Sequence, residues 1–506
     1  MKKHHSRSLF SRARLALGLC GAALSAPLFA QTPSAPTTPA ALPPLQITIP
    51  NALQIAQAGL FPTAEPKSDF AFHLWSWEAF VWATALETDG VPHFLHLKTP
   101  ADLNATAPTP PPTVSAEAAT APKKSPLVLK LATRSASKQG TASFVEGAGA
   151  IVEADGNMLV GVNGYPVYAS VHMTDSYFNT ANNNLLITGD YAKNVGTDDY
   201  FPLGAAVFKA TWMRYDGNPP AGAYTTQAQV PMLTSSTIGG TTVIYPVIPQ
   251  QLVTVNVALV GLHVVGYATG HPEFIWGTFE HNANAPMLTD NSFPNTAAGQ
   301  QAASTASSYT FYTGGTTYNL VNLQNQNPGT LPVLDPVHQK LSPVTQVVQQ
   351  NATGDETDPK GPANIASLNT AGQAFLAAQT NPVQQTFANY RLIGTEWLAP
   401  NTYNNASQAG NAAIANAIGS VNLANSTAET FQQVAQIGNG SQAAIVPTNN
   451  CFSCHNAGSY TFQSGTPYTA RRIAISHVLS QGLPYYGVPN QIPAAPLVPG
   501  LTATKK

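Results

Sequence analysis

The stretch "NNCFSCHNAG" (449–458) holds two cysteines three residues apart and a histidine directly after the second. CxxCH is the attachment signature of a c-type haem. On one helical turn, residues i and i+3 share a side, so Cys451 and Cys454 are spaced to form thioethers with the two vinyl groups of one porphyrin edge. His455, four residues after Cys451, then projects toward the iron as its proximal ligand. A thioredoxin-like disulfide pair would want a βαβ setting, which this region lacks, and it leaves His455 without a role. A zinc ion would need a fourth ligand, which two thiolates and one imidazole do not supply. The spacing therefore predicts a single covalent haem c.

The other axial position decides the chemistry. Only 51 residues follow His455, and no methionine occurs after Met287. A small class I cytochrome c carries its motif near its start and a methionine some tens of residues later, so that fold does not fit and earlier segments must help enclose the haem. Downstream, His477 in "RRIAISHVLSQ" is the candidate distal iron ligand. His281 in "TFEHNANAP" and His263 in "GLHVVGY" are alternatives, and an upstream methionine or an open site also stay in play. Arg471 and Arg472 are candidates to pair with haem propionates, for which a forked guanidinium is suited. Tyr460, Phe462 and Tyr468 are candidates to line the macrocycle.

The elements that must position these groups begin after a leader. Residues 1–30 run from Lys2, Lys3, Arg7, Arg12 and Arg14 through "LALGLCGAALSAPLFA" to Ala30, the order of a secretory signal peptide. A lipid anchor on Cys20 is disfavoured because Leu19 stands where such signals want a small residue. Without that segment 17 Lys and Arg face 24 Asp and Glu, so nucleic acid and anionic membranes are poor partners. No later stretch offers about 18 uninterrupted apolar residues, so no membrane span is expected. Both remaining cysteines lie in the quoted motif, which leaves no disulfide framework.

Residues 31–48 read as a Pro-rich linker, and 100–126 as a disordered Pro-rich insertion. "SDFAFHLWSWEAFVWATAL" (68–86) spaces Phe72, Trp75, Phe80 and Trp82 as an aromatic-faced core helix. From about 143 to 285, β-branched and aromatic runs separated by Gly, Pro and Asn turns predict strands in a β-sandwich or twisted antiparallel sheet, with Asn163-Gly164 as a hairpin turn. Residues 290–365 should be long loops. Helical signals return in "IASLNTAGQAFLAAQ" and in "NSTAETFQQVAQI", where Ser426 and Glu429 form a capping box. Glu280 and His281 are neighbours, so a strand would send them to opposite faces.

Several stretches resemble a group of poorly characterised exported bacterial mono-haem cytochrome c-type proteins with a long N-terminal region and a C-terminal CxxCH. They are "WSWEAFVWAT" (75–84), "KATWMRYD" (209–216), "GLHVVGYATGHPEFIWGTFEHNANAP" (261–286), "YRLIGTEWL" (390–398) and "LANSTAETFQQ" (423–433). Trp276, Thr278, Phe279, Glu280, His281, Asn284 and Pro286 match that group's Trp-x-Thr-Phe-Glu-His-x-x-Asn-x-Pro run. The resemblance implies haem binding and electron transfer and names no substrate.

The expected fold is α+β. A large β-rich, sandwich-like antiparallel region with the insertion (49–365) precedes a mainly helical haem c-binding region (366–506). The expected function is one-electron transfer by a periplasmic or secreted mono-haem cytochrome, with a redox partner protein or a small-molecule electron donor or acceptor. The alternative is a haem-dependent peroxidase or oxygenase-like enzyme with an open iron and His281, Glu280 or Arg391 as distal groups.

Overall fold

The structure, a computed structural model, describes residues 69–99, 102, 127–131, 158–183, 199–238, 241–247, 251–287, 301–322, 332–349, 357–400, 402–403, 416–421, 423, 425–427, 437–438, 441–442, 451–455, 460–461, 467–468 and 472–475. The segments expected as signal peptide and linker and nearly all of the expected 100–126 insertion lie outside these residues, as do His477, Arg471 and Phe462.

One eight-stranded antiparallel sheet organises the molecule. Its strands are β1 (Lys130–Leu131), β2 (Val167–Met173), β3 (Ala206–Arg214), β4 (Thr225–Pro231), β7 (Leu252–Ala268), β8 (His271–His281), β11 (Tyr390–Leu398) and β12 (Ala417–Gly419). Small two-stranded sheets pair β5 (Leu233–Ile238) with β6 (Thr241–Pro246) and β9 (Val333–Asp335) with β10 (Lys340–Ser342). The strand order is β1-β2-β3-β7-β8-β11-β12, with β4 paired to the first half of β7. Asn163-Gly164 makes the predicted turn: Gly164 sits at φ 87°, and Val160 and Pro166 bridge across it.

The class is thus α+β, rich in antiparallel strand, and the large scaffold is a single sheet rather than two facing ones. The region from 366 onward was expected to be mainly helical. Its described part is mixed: it holds most of the helix Gly361–Ala377 and shorter helical turns, and it also contributes β11, which lies beside β8 in the large sheet. "YRLIGTEWL" is a buried, mostly apolar run with a Thr, a Trp and only one Gly, as a two-sided strand requires.

Helix α1 (Phe70–Thr84) falls within the predicted 68–86, and twelve of its fifteen residues are buried, so it is a core helix. It lies against one face of β7, β8 and β11. Phe80 stacks on Phe279 at 4.1 Å and Phe72 on Trp397 at 3.9 Å. Ser76 Oγ shares a 2.9 Å hydrogen bond with Thr395 Oγ1. Helix α3 (Gly361–Ala377) packs beside α1, with Gly372 leaving room for the Trp77 ring. Asn369 of α3 also bonds both the amide and the carbonyl of Leu392 next to a bulge in β11.

Helix α2 (Asp175–Asn183) and the short α4 (Pro382–Thr386) complete the α-helices that precede the CxxCH turn among the described residues. Between 301 and 349 the described residues hold only the β9–β10 hairpin and one 3-10 turn, in keeping with long loops. Of the predicted 425–437 helix, residues 428–436 lie outside the described residues. No helix among the described residues is long and apolar enough to cross a membrane.

Candidate cofactor site

The second face of the sheet carries the CxxCH segment. Alternation along β8 sends Trp276, Thr278 and Glu280 to this face and Ile275, Gly277, Phe279 and His281 to the α1 side. Across the ladder the same face receives Val265 and His263 from β7 and Glu396 from β11.

Residues Cys451–Cys454 form one helical turn, α5, and the His455 amide donates to the Cys451 carbonyl at 2.8 Å. Cys451 and Cys454 thus open and close one turn, the i, i+3 spacing that thioether attachment to one porphyrin edge would need. Phe452 is fully buried among Val265, Phe274, Leu398, Ile473 and Ile475, and this apolar anchor holds the turn on the sheet. Cys451 is half-buried, and its amide donates to Glu396 Oε2 at 2.8 Å.

His455 is fixed from two sides. Its Nδ1 lies 3.0 Å from the Ile475 carbonyl oxygen, and its ring centre lies 4.3 Å from that of Trp276, with the planes 38° apart. A carbonyl only accepts, so Nδ1 carries the proton and Nε2 is the basic nitrogen of the neutral ring. That is the tautomer of a metal-ligating histidine whose other nitrogen bonds a backbone carbonyl. The donor set fits a c-type haem: two cysteines on one turn and an imidazole whose basic nitrogen is defined.

Arg472, one of the two expected propionate partners, is buried with its guanidinium 4.4 Å from the Tyr200 ring centre and 5.7 Å from that of Tyr403. Its carbonyl accepts the Tyr403 hydroxyl at 2.5 Å, so the turn Arg472–Ile475 is held from the sheet side. Tyr460 and Tyr468 are register partners in the pairing of β15 (Tyr460–Thr461) with β16 (Pro467–Tyr468), which follows the small β13–β14 pair, Ile437–Gly438 and Ser441–Gln442.

The other candidates separate cleanly. His263 shares the Trp276 face, two residues further along the ladder, with Nδ1 3.0 Å from Thr278 Oγ1. His281 does not meet the motif. It lies on the α1 side, five residues or about 17 Å along β8 from Trp276. There its Nδ1 accepts from the Ala283 amide and its ring stands edge-on to Tyr390. Burial, reinforced by Arg391, pushes His281 down to about 4, against a bond with the Ala221 backbone.

Glu280 and His281 do face opposite ways. The fully buried Glu280 accepts from both the amide and the hydroxyl of Ser426. Burial raises its carboxyl above the usual range, while the Ser426 bonds and Arg391 pull it back. Ser426, expected to cap a helix, thus spends its hydroxyl on the sheet. Arg391 donates to Gln349 at 2.9 Å, and burial lowers its pKa. Glu280 and Arg391 are tied into the scaffold rather than gathered around His455.

Sequence reasoning missed Glu396 as a partner of the motif and gave Trp276 no role there. The signal was present: on β8 paired to β11, Trp276 and Glu396 must face each other, but only once the pairing is known. Compared with known proteins, the chain matches no family, no curated protein and no solved structure.

Proposed function

We propose that this chain is an exported mono-haem c-type cytochrome that transfers one electron at a time to a redox partner protein or small molecule, in the periplasm or after secretion. The reading rests above all on His455. The bond from its Nδ1 to the Ile475 carbonyl leaves Nε2 as the basic nitrogen that would ligate the iron, four residues from Cys451 on a turn that also carries Cys454. When bound, the haem would supply an iron that cycles between Fe(II) and Fe(III).

The chain's own residues do the rest. Cys451 and Cys454 tether, and His455 ligates. Phe452 and its apolar neighbours keep water from the sheet side of the turn. His477 and Arg471 are proposed as distal ligand and propionate partner respectively, and the C-terminal region as the mainly helical cover of the haem. Likeness in "WGTFEHNANAP" and the other quoted stretches to exported mono-haem cytochromes supports the same reading.

The test is direct. The full chain, produced in cells able to mature c-type haem and then denatured, should carry a pyridine haemochrome that stays with the polypeptide. Cys451→Ala combined with Cys454→Ala should lose it. A colourless wild-type band would overturn the proposal. His477→Ala should convert a six-coordinate spectrum to one that binds carbon monoxide; an unchanged spectrum removes His477 from the ligand set.

A further inference from the structure

Two of the residues that meet the motif from the sheet are register partners. Trp276 on β8 stands opposite Glu396 on β11, so one rung touches both ends of the CFSCH turn. Trp276 meets the His455 ring, and Glu396 takes the Cys451 amide.

Each is braced from behind. Trp276 Nε1 donates to the Glu273 carbonyl at 3.0 Å, and its ring stands at 76° to Phe452, which fixes the plate on which the imidazole rests. Glu396 is fully buried between Thr395, bonded to Ser76 of α1, and Trp397, stacked on Phe72 of α1. The flanking residues thus clamp β11 to the helix on the far face while Glu396 faces the motif. Rigid elements with braced side chains are what holds a functional group in place to within a fraction of an ångström.

We propose that Trp276 and Glu396 are positioning residues that seat the CFSCH turn, the indole fixing the plane of the His455 ring and the carboxylate fixing the Cys451 end. This rests on the haem reading above. The Ile475 carbonyl fixes only one edge of the imidazole, and a ring held at one edge still pivots; the Trp276 face removes that freedom. Glu396 has a second consequence. In its ionised form, a carboxyl bonded to the residue that would tether the porphyrin favours the more positive ferric state, so it should hold the reduction potential of a bound iron down.

The test uses the full chain with Glu396→Gln, Glu396→Leu, Trp276→Phe and Trp276→Ala. Gln keeps an acceptor and removes the charge; Leu removes both. Amide hydrogen exchange at Cys451 reads the seat without reference to haem. Protection should fall about tenfold in Glu396→Leu and persist in Glu396→Gln. Equal protection in wild type and Glu396→Leu would overturn the role of Glu396.

In the haem-loaded protein, Glu396→Gln should raise the reduction potential by about one tenfold step in the oxidised-to-reduced ratio, roughly 59 mV for one electron. Trp276→Ala should raise the high-spin fraction, and Trp276→Phe should restore it. A potential unmoved by Glu396→Gln overturns the charge effect, and a spin state unmoved by Trp276→Ala overturns the plate. Should Trp276→Ala not fold, Trp276→Leu, which keeps bulk without a ring, replaces it with the same two outcomes. A colourless wild type would end the haem reading, yet the exchange measurement would still judge the seat.

Discussion

Two faces of the same three strands solve different problems. Toward α1, β7, β8 and β11 present Gly266, Gly277, Phe279, Thr395 and Trp397, and the contact is aromatic stacking with one hydroxyl pair. Toward the C-terminal segment they present His263, Trp276, Glu280 and Glu396, and beside the apolar seat of Phe452 two carboxyl groups take backbone amides from Ser426 and Cys451. Non-directional burial builds the first face; the second adds directional bonds to burial. The difference teaches how a chain can fold on one side of a sheet and hold a distant segment by specific bonds on the other.

The comparison breaks most severely at Phe80. It is fully buried and stacked on Phe279, so Phe80→Ala should cost about 3–5 kcal/mol in chemical denaturation. A loss below about 1 kcal/mol would mean the α1 face is not the main store of stability.

Two buried ionisable groups near that face set opposing slopes with pH. Burial pushes Glu78 of α1 from 4.5 up to about 7, so its contribution is full below 4.5 and is lost as pH rises through 7. His281 is pushed from 6.5 down to about 4, so its contribution is full above 6.5 and is lost as pH falls through 4. Between about pH 4.5 and 6.5 the two offset each other. Glu78→Gln should therefore leave a stability that climbs by about 2–3 kcal/mol across that window, and His281→Asn one that declines by as much. Melting or urea curves at pH 4.5, 5.5 and 6.5 would show it; parallel profiles for both variants would refute the opposition.

A methyl group probes each face more gently. A Cβ at Gly277 would stand 2.4 Å from Ser76 Oγ and 2.7 Å from Ser76 Cβ, so Gly277→Ala should push α1 outward and cost about 1–3 kcal/mol. No loss in the urea midpoint would show that α1 yields freely. On the other face, Ser426→Ala removes the hydroxyl bond to Glu280 and keeps the amide bond, for an expected loss of about 1–2 kcal/mol. If the loss equals that of Glu280→Leu, the amide bond contributes nothing.

Local patterns were legible in the sequence where they reported local structure. The aromatic spacing of 70–84, the turn at Asn163-Gly164 and the alternation along 271–281 each follow from a few neighbouring residues. The helical turn at Cys451–Cys454 followed from the chemistry its spacing implies. What could not be read was pairing at a distance. "YRLIGTEWL" shows no charge alternation and lies among helical signals, so nothing nearby announces that it lies beside β8, more than a hundred residues earlier. Without that register, Glu396 reads as an isolated acid and Ser426 as an ordinary helix cap, although both spend their bonding across the sheet.

That late strand has a consequence for synthesis. Until residues 390–398 arrive, β8 has no neighbour on one flank, and Ile275–His281 offers bare peptide groups to any other extended chain. A polypeptide halted before Leu398 should be the form most prone to clumping, and a holding factor or rapid completion of the chain would be its natural protection.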